Sequence, residues 1–327
     1  MIDLDQLRAV GDLLADNAVA AYFAQIDSAQ PGNRFGQLAR HVHLPSEDQN
    51  PAIRYFLTEA SRRPEWVDEG RIVCAQRFFN SLVAHQFSAL YLASLPNSYA
   101  AAKGVQVLHL TGRLQNDTQR RLNETAQLLM NIAVPGAMDV GGKGIDQILH
   151  VRLMHAAVRW MIEHDPSVTH VNDVKPPVVG DGLMWSRSWG VPINQEDLLG
   201  TWLTFTSVVY DAFDASGVDY TGRDVADHLH FWRLVGHHLG IDPGLVPQTR
   251  DGASALRLEI FGRQQAPSAA GVAMTAALFA QAHSHMPRFA WPLMPTAFRH
   301  FLGDQVADMI GVPALFYVGW MAFKGGV

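Results

Sequence analysis

Arg152, His155 and Arg159 stand three, four and seven residues apart in the stretch His150-Val151-Arg152-Leu153-Met154-His155-Ala156-Ala157-Val158-Arg159. Residues at that spacing share one face of a helix, with Leu149, Leu153, Met154 and Val158 as apolar neighbours. A neutral imidazole is a metal ligand, and a guanidinium beside it fits a carboxylate. The row points to a buried cofactor rather than a surface site. The bland alternative is a core histidine satisfied by a hydrogen bond.

A second histidine-bearing run, Asp227 to Gly240, resolves into two faces. Phe231, Leu234, Val235 and His238 make one stripe, and His230, Arg233 and His237 make another. If the apolar stripe faces the core, His238 faces inward and His237 sits at the boundary, so His238 is the candidate ligand of this run on geometry. Other constellations carry less. His283-Ser284-His285 cannot put both rings on one helix face, and a zinc reading lacks partners. There is no His-Glu-x-x-His run, no Gly-x-Ser-x-Gly elbow and no Gly-x-Gly-x-x-Gly. Gly141-Gly142-Lys143-Gly144 lacks the spacing and ending of a phosphate loop. Glu196 and Asp197 read as helix-start residues rather than a general acid and base.

The elements that must hold these residues are helical. Residues 75–102 carry a broad helical stripe that Pro96 is expected to limit. Asp117 precedes an apolar-periodic run over 120–132, closed by Pro135 and Gly136. The Arg152 helix is closed by Pro166. Residues 167–192 read as a long loop, anchored by Trp185 and Trp189, of the kind that serves as a lid or linker. Asn194 caps an apolar run over 198–213, with acids at its positive end. The run over 224–239 stops at Gly240. A mixed segment follows over 242–263, then three helix candidates at 272–283, 295–301 and 305–321. No domain boundary stands out, and one all-α domain over 1–327 is the simplest account.

Composition sets the surroundings. The chain has 327 residues, of which 48% are hydrophobic and only 17% charged, below the roughly 25% usual for soluble proteins. That combination fits a large buried interior, an interface between copies of the chain or a lipid-like ligand. The net charge of -6 and the absence of a basic run argue against nucleic acid as a partner. The single cysteine, Cys74, can form neither an intrachain disulfide nor a zinc cluster. The first residues lack the pattern of a signal peptide, and the apolar stretch over 312–323 is shorter than the ~20 residues of a membrane span. A cytoplasmic protein without a transmembrane segment is the resulting expectation.

Several separated motifs, in order, resemble the latex-clearing-protein and MpaB-like oxygenases. They are Ala93-Ser94-Leu95-Pro96, the run Ala100 to Leu114, Glu124-Thr125-Ala126-Gln127, Arg152 to Arg159, Gly190 to Leu198, Thr201-Trp202, and Trp232 to Gly240. The resemblance spans about residues 70–245. It implies a mostly helical, globin-like core that binds haem b and uses dioxygen, in characterised relatives to cleave carbon-carbon double bonds of isoprenoid chains. The cofactor carries that chemistry, and the protein supplies ligation, a dry pocket and positioning.

In the rubber-cleaving branch the proximal histidine lies in the helix that begins here at Asn194, where this chain has Leu203 and Thr204. The resemblance then leaves His155 as the expected axial ligand, at the position of a distal-side lysine in that branch, with His238 or His237 as substitutes. It makes Arg152 a partner for a propionate or iron-bound oxygen, Arg159 a further cofactor contact and Thr204 a pocket-lining hydroxyl. The expected substrate is a small terpenoid, lipid or aromatic compound. Two other classes stay open: a helical binding protein for an apolar ligand that has lost haem ligation, and a metal-free acid-base enzyme using the same pocket.

Overall fold

The fold was derived from a computed structural model, which describes residues 3–26, 34–111, 118–172 and 184–314. Helices α1 (Leu4–Arg8), α2 (Leu13–Phe23), α3 (Arg34–His41) and α4 (Pro51–Ala60) lead into α5 (Glu69–Ser81) and α6 (Val83–Ala89). A π-helical turn, Leu90–Ser94, continues without a break into α7 (Leu95–Ala100), and α8 (Val105–Thr111) follows. Pro96 therefore does not end a helix as its sequence position suggests. It sits in the first turn of α7, where its missing N–H is no loss.

Next come α9 (Thr118–Ile132) and α10 (Lys143–His164), the latter 22 residues long, hence ~33 Å. It stops at Asp165, which is extended ahead of Pro166. Strands β1 (Thr169–Val171) and β2 (Met184–Ser186) pair in parallel within the stretch read as a loop; residues 173–183 of that stretch lie outside the described residues. The remaining helices are α11 (Gln195–Phe205), α12 (Ser207–Ser216), α13 (Gly222–His238), α14 (Arg250–Gln264), α15 (Ala269–His285) and α16 (Leu293–Met309).

The Asn194 cap that the sequence advertised is made. The Asn194 side chain accepts from Asp197 N at 3.0 Å to open α11. Thr221 and Asp224 form a reciprocal capping box at α13. The segment 242–263, which reads as mixed in sequence, holds α14, started by the Thr249 side chain. The two candidates at 295–301 and 305–321 are one helix kinked at Gly303, whose φ is 74°. Residues from 315 onward lie outside the described residues.

α13 packs along α5, α10 along α2, and α2 along α4. Leu153, Leu199, Trp202, Leu203, Leu234 and Val235 lie within one main apolar core. Burial of each such side chain contributes about 1.5–3 kcal/mol. A second core joins α7 and α8 to α15 and α16. No helix among the described residues is long and apolar enough to cross a membrane.

Candidate functional site between α10 and α13

Arg152 and Arg159 both project from α10 onto aspartates of α2. Arg152 Nε donates to Asp12 Oδ2 at 2.6 Å and Nη2 to Oδ1 at 2.9 Å. The two side chains are 11% and 4% exposed. Arg159 Nε donates to Asp16 Oδ1 at 2.7 Å and Nη1 to the Ile193 carbonyl at 3.1 Å. Asp12 is also the N-cap of α2, and its N–H donates to Asp16 Oδ2 at 3.0 Å. The sequence row is thus real, but its guanidinium groups are neutralised inside the protein rather than held open for acid groups of a cofactor.

The turn after α13 closes over this pair. Gly240 has φ 89°, and a Cβ there would lie 2.5 Å from Asp12 Oδ2 and 2.7 Å from Arg152 Nε. Glycine is required by both backbone and space. Gln195 bridges the layers, donating from Nε2 to the carbonyls of Gly11 at 3.1 Å and Gly240 at 2.9 Å.

The histidines of α13 divide as their faces predict. His238 is fully buried and His237 half-buried. His238 Nδ1 lies 2.9 Å from the Ala60 carbonyl. A carbonyl only accepts, so Nδ1 carries the proton and Nε2 presents a bare lone pair, which has no hydrogen-bond partner. Burial pulls the ring's pKa down to about 4, with the positive charges of His237 and Arg152 adding to the effect. His237 packs its ring edge-on against Trp66 at 6.3 Å, and burial likewise lowers its pKa. The structure therefore brings Arg152, His237 and His238 together where α10 meets α13. His155 is half-buried one helical turn further along α10.

Thr204 and Leu203 belong to a different surrounding. Leu203 is fully buried in the main core. Thr204 is 3% exposed, and its hydroxyl donates to the Thr201 carbonyl at 2.7 Å. Its own carbonyl accepts from Ser94 Oγ, at the end of the π-helical turn, at 2.6 Å. Neither residue offers a free ligand atom there. Sequence reasoning named the cations but missed their partners: Asp12 and Asp16, one turn apart at the start of α2, were the available signal.

At the N-terminal end of α11, Glu196 is fully buried and accepts from Arg8 Nη1 at 3.0 Å, Arg263 Nε at 3.1 Å and Gln264 Nε2 at 2.7 Å. Asp197 accepts from Arg8 Nη1 at 3.0 Å. Both acids are structural, as their place at a helix start suggested. His283 stacks on Trp291 at 4.3 Å, and among the described residues no group of three or more His, Cys, Asp or Glu is placed to hold a metal ion.

The family model described as "ER-bound oxygenase mpaB/B'/Rubber oxygenase, catalytic domain" matches residues 76–323. The chain belongs to this oxygenase family. It is 25% identical over 305 residues to a rubber oxygenase of Streptomyces sp. (strain K30), covering 92% of this chain and 67% of that protein. The solved structure of latex clearing protein LCP in the closed state has the same fold, with a TM-score of 0.75 at 22% identity over 100% of this chain and 85% of the other. The all-helical architecture read from the caps and periodicity is the architecture of this family.

Proposed function

We propose that this member of the family is a haem b-dependent oxygenase acting on a small apolar substrate, terpenoid, lipid or aromatic, with dioxygen. The observation that carries the reading is the His238 imidazole: neutral, oriented by the Ala60 carbonyl through Nδ1, and unpartnered at Nε2 inside the protein. A histidine that ligates a metal usually has its other nitrogen tied to a carbonyl or carboxylate, so His238 fits an iron ligand at α13, whereas Leu203 and Thr204 do not. His238 would hold the iron, with His155 as the alternative from α10. Bound haem supplies the dioxygen chemistry. Burial keeps both His237 and His238 unprotonated, and Arg152, fixed by Asp12, adds to the effect. Leu153, Leu199, Trp202 and Leu203 exclude water from the layer between the helices.

The test is the visible spectrum of protein produced with ample haem, followed by dioxygen uptake with a panel of apolar substrates. A Soret band lost in His238→Ala and kept in His155→Ala supports the assignment. The reverse moves the ligand to α10. A wild-type protein with no Soret band overturns the haem reading. The second reading, a binding protein for an apolar ligand, is favoured by one observation: Arg152 and Arg159 are already paired with aspartates.

A further inference from the structure

His228 lies on α13 ten residues before His238, hence ~15 Å from it along the helix. It is 1% exposed, and its Nε2 lies 2.9 Å from Trp232 Nε1. An indole N–H only donates, so His228 Nε2 accepts and the proton of the neutral ring is on Nδ1. That N–H has no partner. Burial brings the ring's pKa down to about 3, so near neutral pH it stands as an uncharged donor. Tyr210 packs edge-on against it at 5.5 Å, is itself 1% exposed, and its hydroxyl also lacks a partner.

An unpartnered buried donor is costly, and buried polar groups in folded proteins are nearly always paired. Around these two, Phe78 and Phe213 are apolar, while Tyr220 and the Arg250 guanidinium lie against the Tyr210 ring. The Trp232 indole accounts for His228 Nε2 but leaves the His228 Nδ1–H and the Tyr210 hydroxyl without a role. Phe78 has a second role. It is the apolar wall of a surface pocket of about 460 Å³, whose rim includes Cys74, Arg77, Ser81, Asp219 and Asp224. Its ring also meets His228 at 6.2 Å. The volume falls within the range of small-molecule sites.

We propose that the pocket and the His228–Tyr210 pair are the outer and inner parts of one binding site for a small neutral molecule with an apolar body and a carbonyl oxygen, Phe78 turning aside to admit it. The two rings lie side by side, and each carries one donor that a carbonyl oxygen can accept. A carboxylate would have to pass Asp219 and Asp224 and shed its water, and a cation has nothing to offer two donors. The site lies apart from His238 and does not rest on the haem reading. A single ordered water could satisfy the same two donors, and this is the alternative the experiment must separate.

Acetophenone and ethylbenzene make a matched pair of probes, differing in the carbonyl. Calorimetric titration of the wild-type protein is expected to give acetophenone about tenfold tighter binding than ethylbenzene, the equivalent of one hydrogen bond. The infrared carbonyl band of the bound ketone moves to lower frequency. Tyr210→Phe is expected to weaken acetophenone about tenfold, leave ethylbenzene unchanged and reverse part of the band shift. Phe78→Trp fills the passage and blocks both. His228→Phe should act like Tyr210→Phe; if it fails to fold, the tyrosine variant decides. Equal affinity for the two probes overturns the proposal. So does absence of binding even in Phe78→Ala, and in that case nuclear Overhauser contacts from a long-lived water to the Tyr210 ring identify a buried-water site.

Discussion

Arg152 grips Asp12 with two nitrogens on two oxygens across 140 residues of sequence, in a setting where both side chains are almost sealed from water. Two-pronged geometry of this kind fixes orientation as well as charge. Removing one partner leaves the other charged and stranded, which costs about 3–5 kcal/mol. Asp12→Ala and Arg152→Ala should each lose that much in urea unfolding, whereas Asp12→Leu combined with Arg152→Met should lose clearly less than either alone. A loss below about 1 kcal/mol in the single variants would mean that water reaches the pair.

Gly240→Ala should be as damaging as the loss of Asp12. The new methyl would strain a left-handed backbone position and land between Asp12 and Arg152. The variant should lose about 3 kcal/mol or more, and its effect should shrink when Asp12 is already alanine, because the two substitutions break the same contact. Full additivity would place the cost in the backbone alone.

Acid should loosen the fold through the α13 histidines. Burial brings His238 to about 4 and His228 to about 3, while the unfolded chain has both near 6.5. Below ~6.5 the unfolded state therefore binds protons that the folded state refuses. Stability falls by about 1.4 kcal/mol per pH unit for each ring until its folded pKa is reached. The unfolding free energy should be steady above neutrality with respect to these groups and decline between ~6.5 and ~4. His238→Gln should show a shallower decline than the wild type by one ring's share, and identical slopes would mean that His238 is protonated freely in the folded protein.

Glu196→Gln should destabilise by about 1–3 kcal/mol. The amide keeps the shape but removes one of the two carboxylates that face Arg8, Asp197 remaining at 3.0 Å; Arg263, more exposed, should contribute little to the loss. Thermal unfolding at low and high salt would check this, since only the Arg263 share should respond to salt.

The periodic and capped parts of this chain were legible in its residues. Asn194 and Pro166 mark helix ends by local chemistry that tertiary structure has no need to override. The inward turn of His238 followed from its spacing to Leu234 and Val235. What the residues did not reveal was what each polar group meets. Arg152 and Arg159 look alike whether they face a cofactor or two aspartates, because the partner is set by how α2 lies on α10, and helix packing at a distance leaves no local pattern. The π-helical turn was missed for a related reason: Leu90–Ser94 has ordinary helical composition, and only the Ser94 contact to the Thr204 carbonyl shows where the extra residue is used. The helix over 250–264 was hidden by Gly252 and Gly262, which dilute its apolar stripe.

The paired residues of the amino-terminal stretch also impose an order on the chain's assembly. Arg8 waits for Glu196, 188 residues later, and Asp12 and Asp16 wait for arginines 140 and 143 residues away. On a ribosome adding about 5–20 residues per second, α1 and α2 spend roughly seven to forty seconds without these partners. Closing such distant contacts costs chain entropy before any is repaid. α1 and α2 are therefore locked down only once α10 and α11 have been made, and until they dock α10 carries two bare cations into a half-built apolar interior.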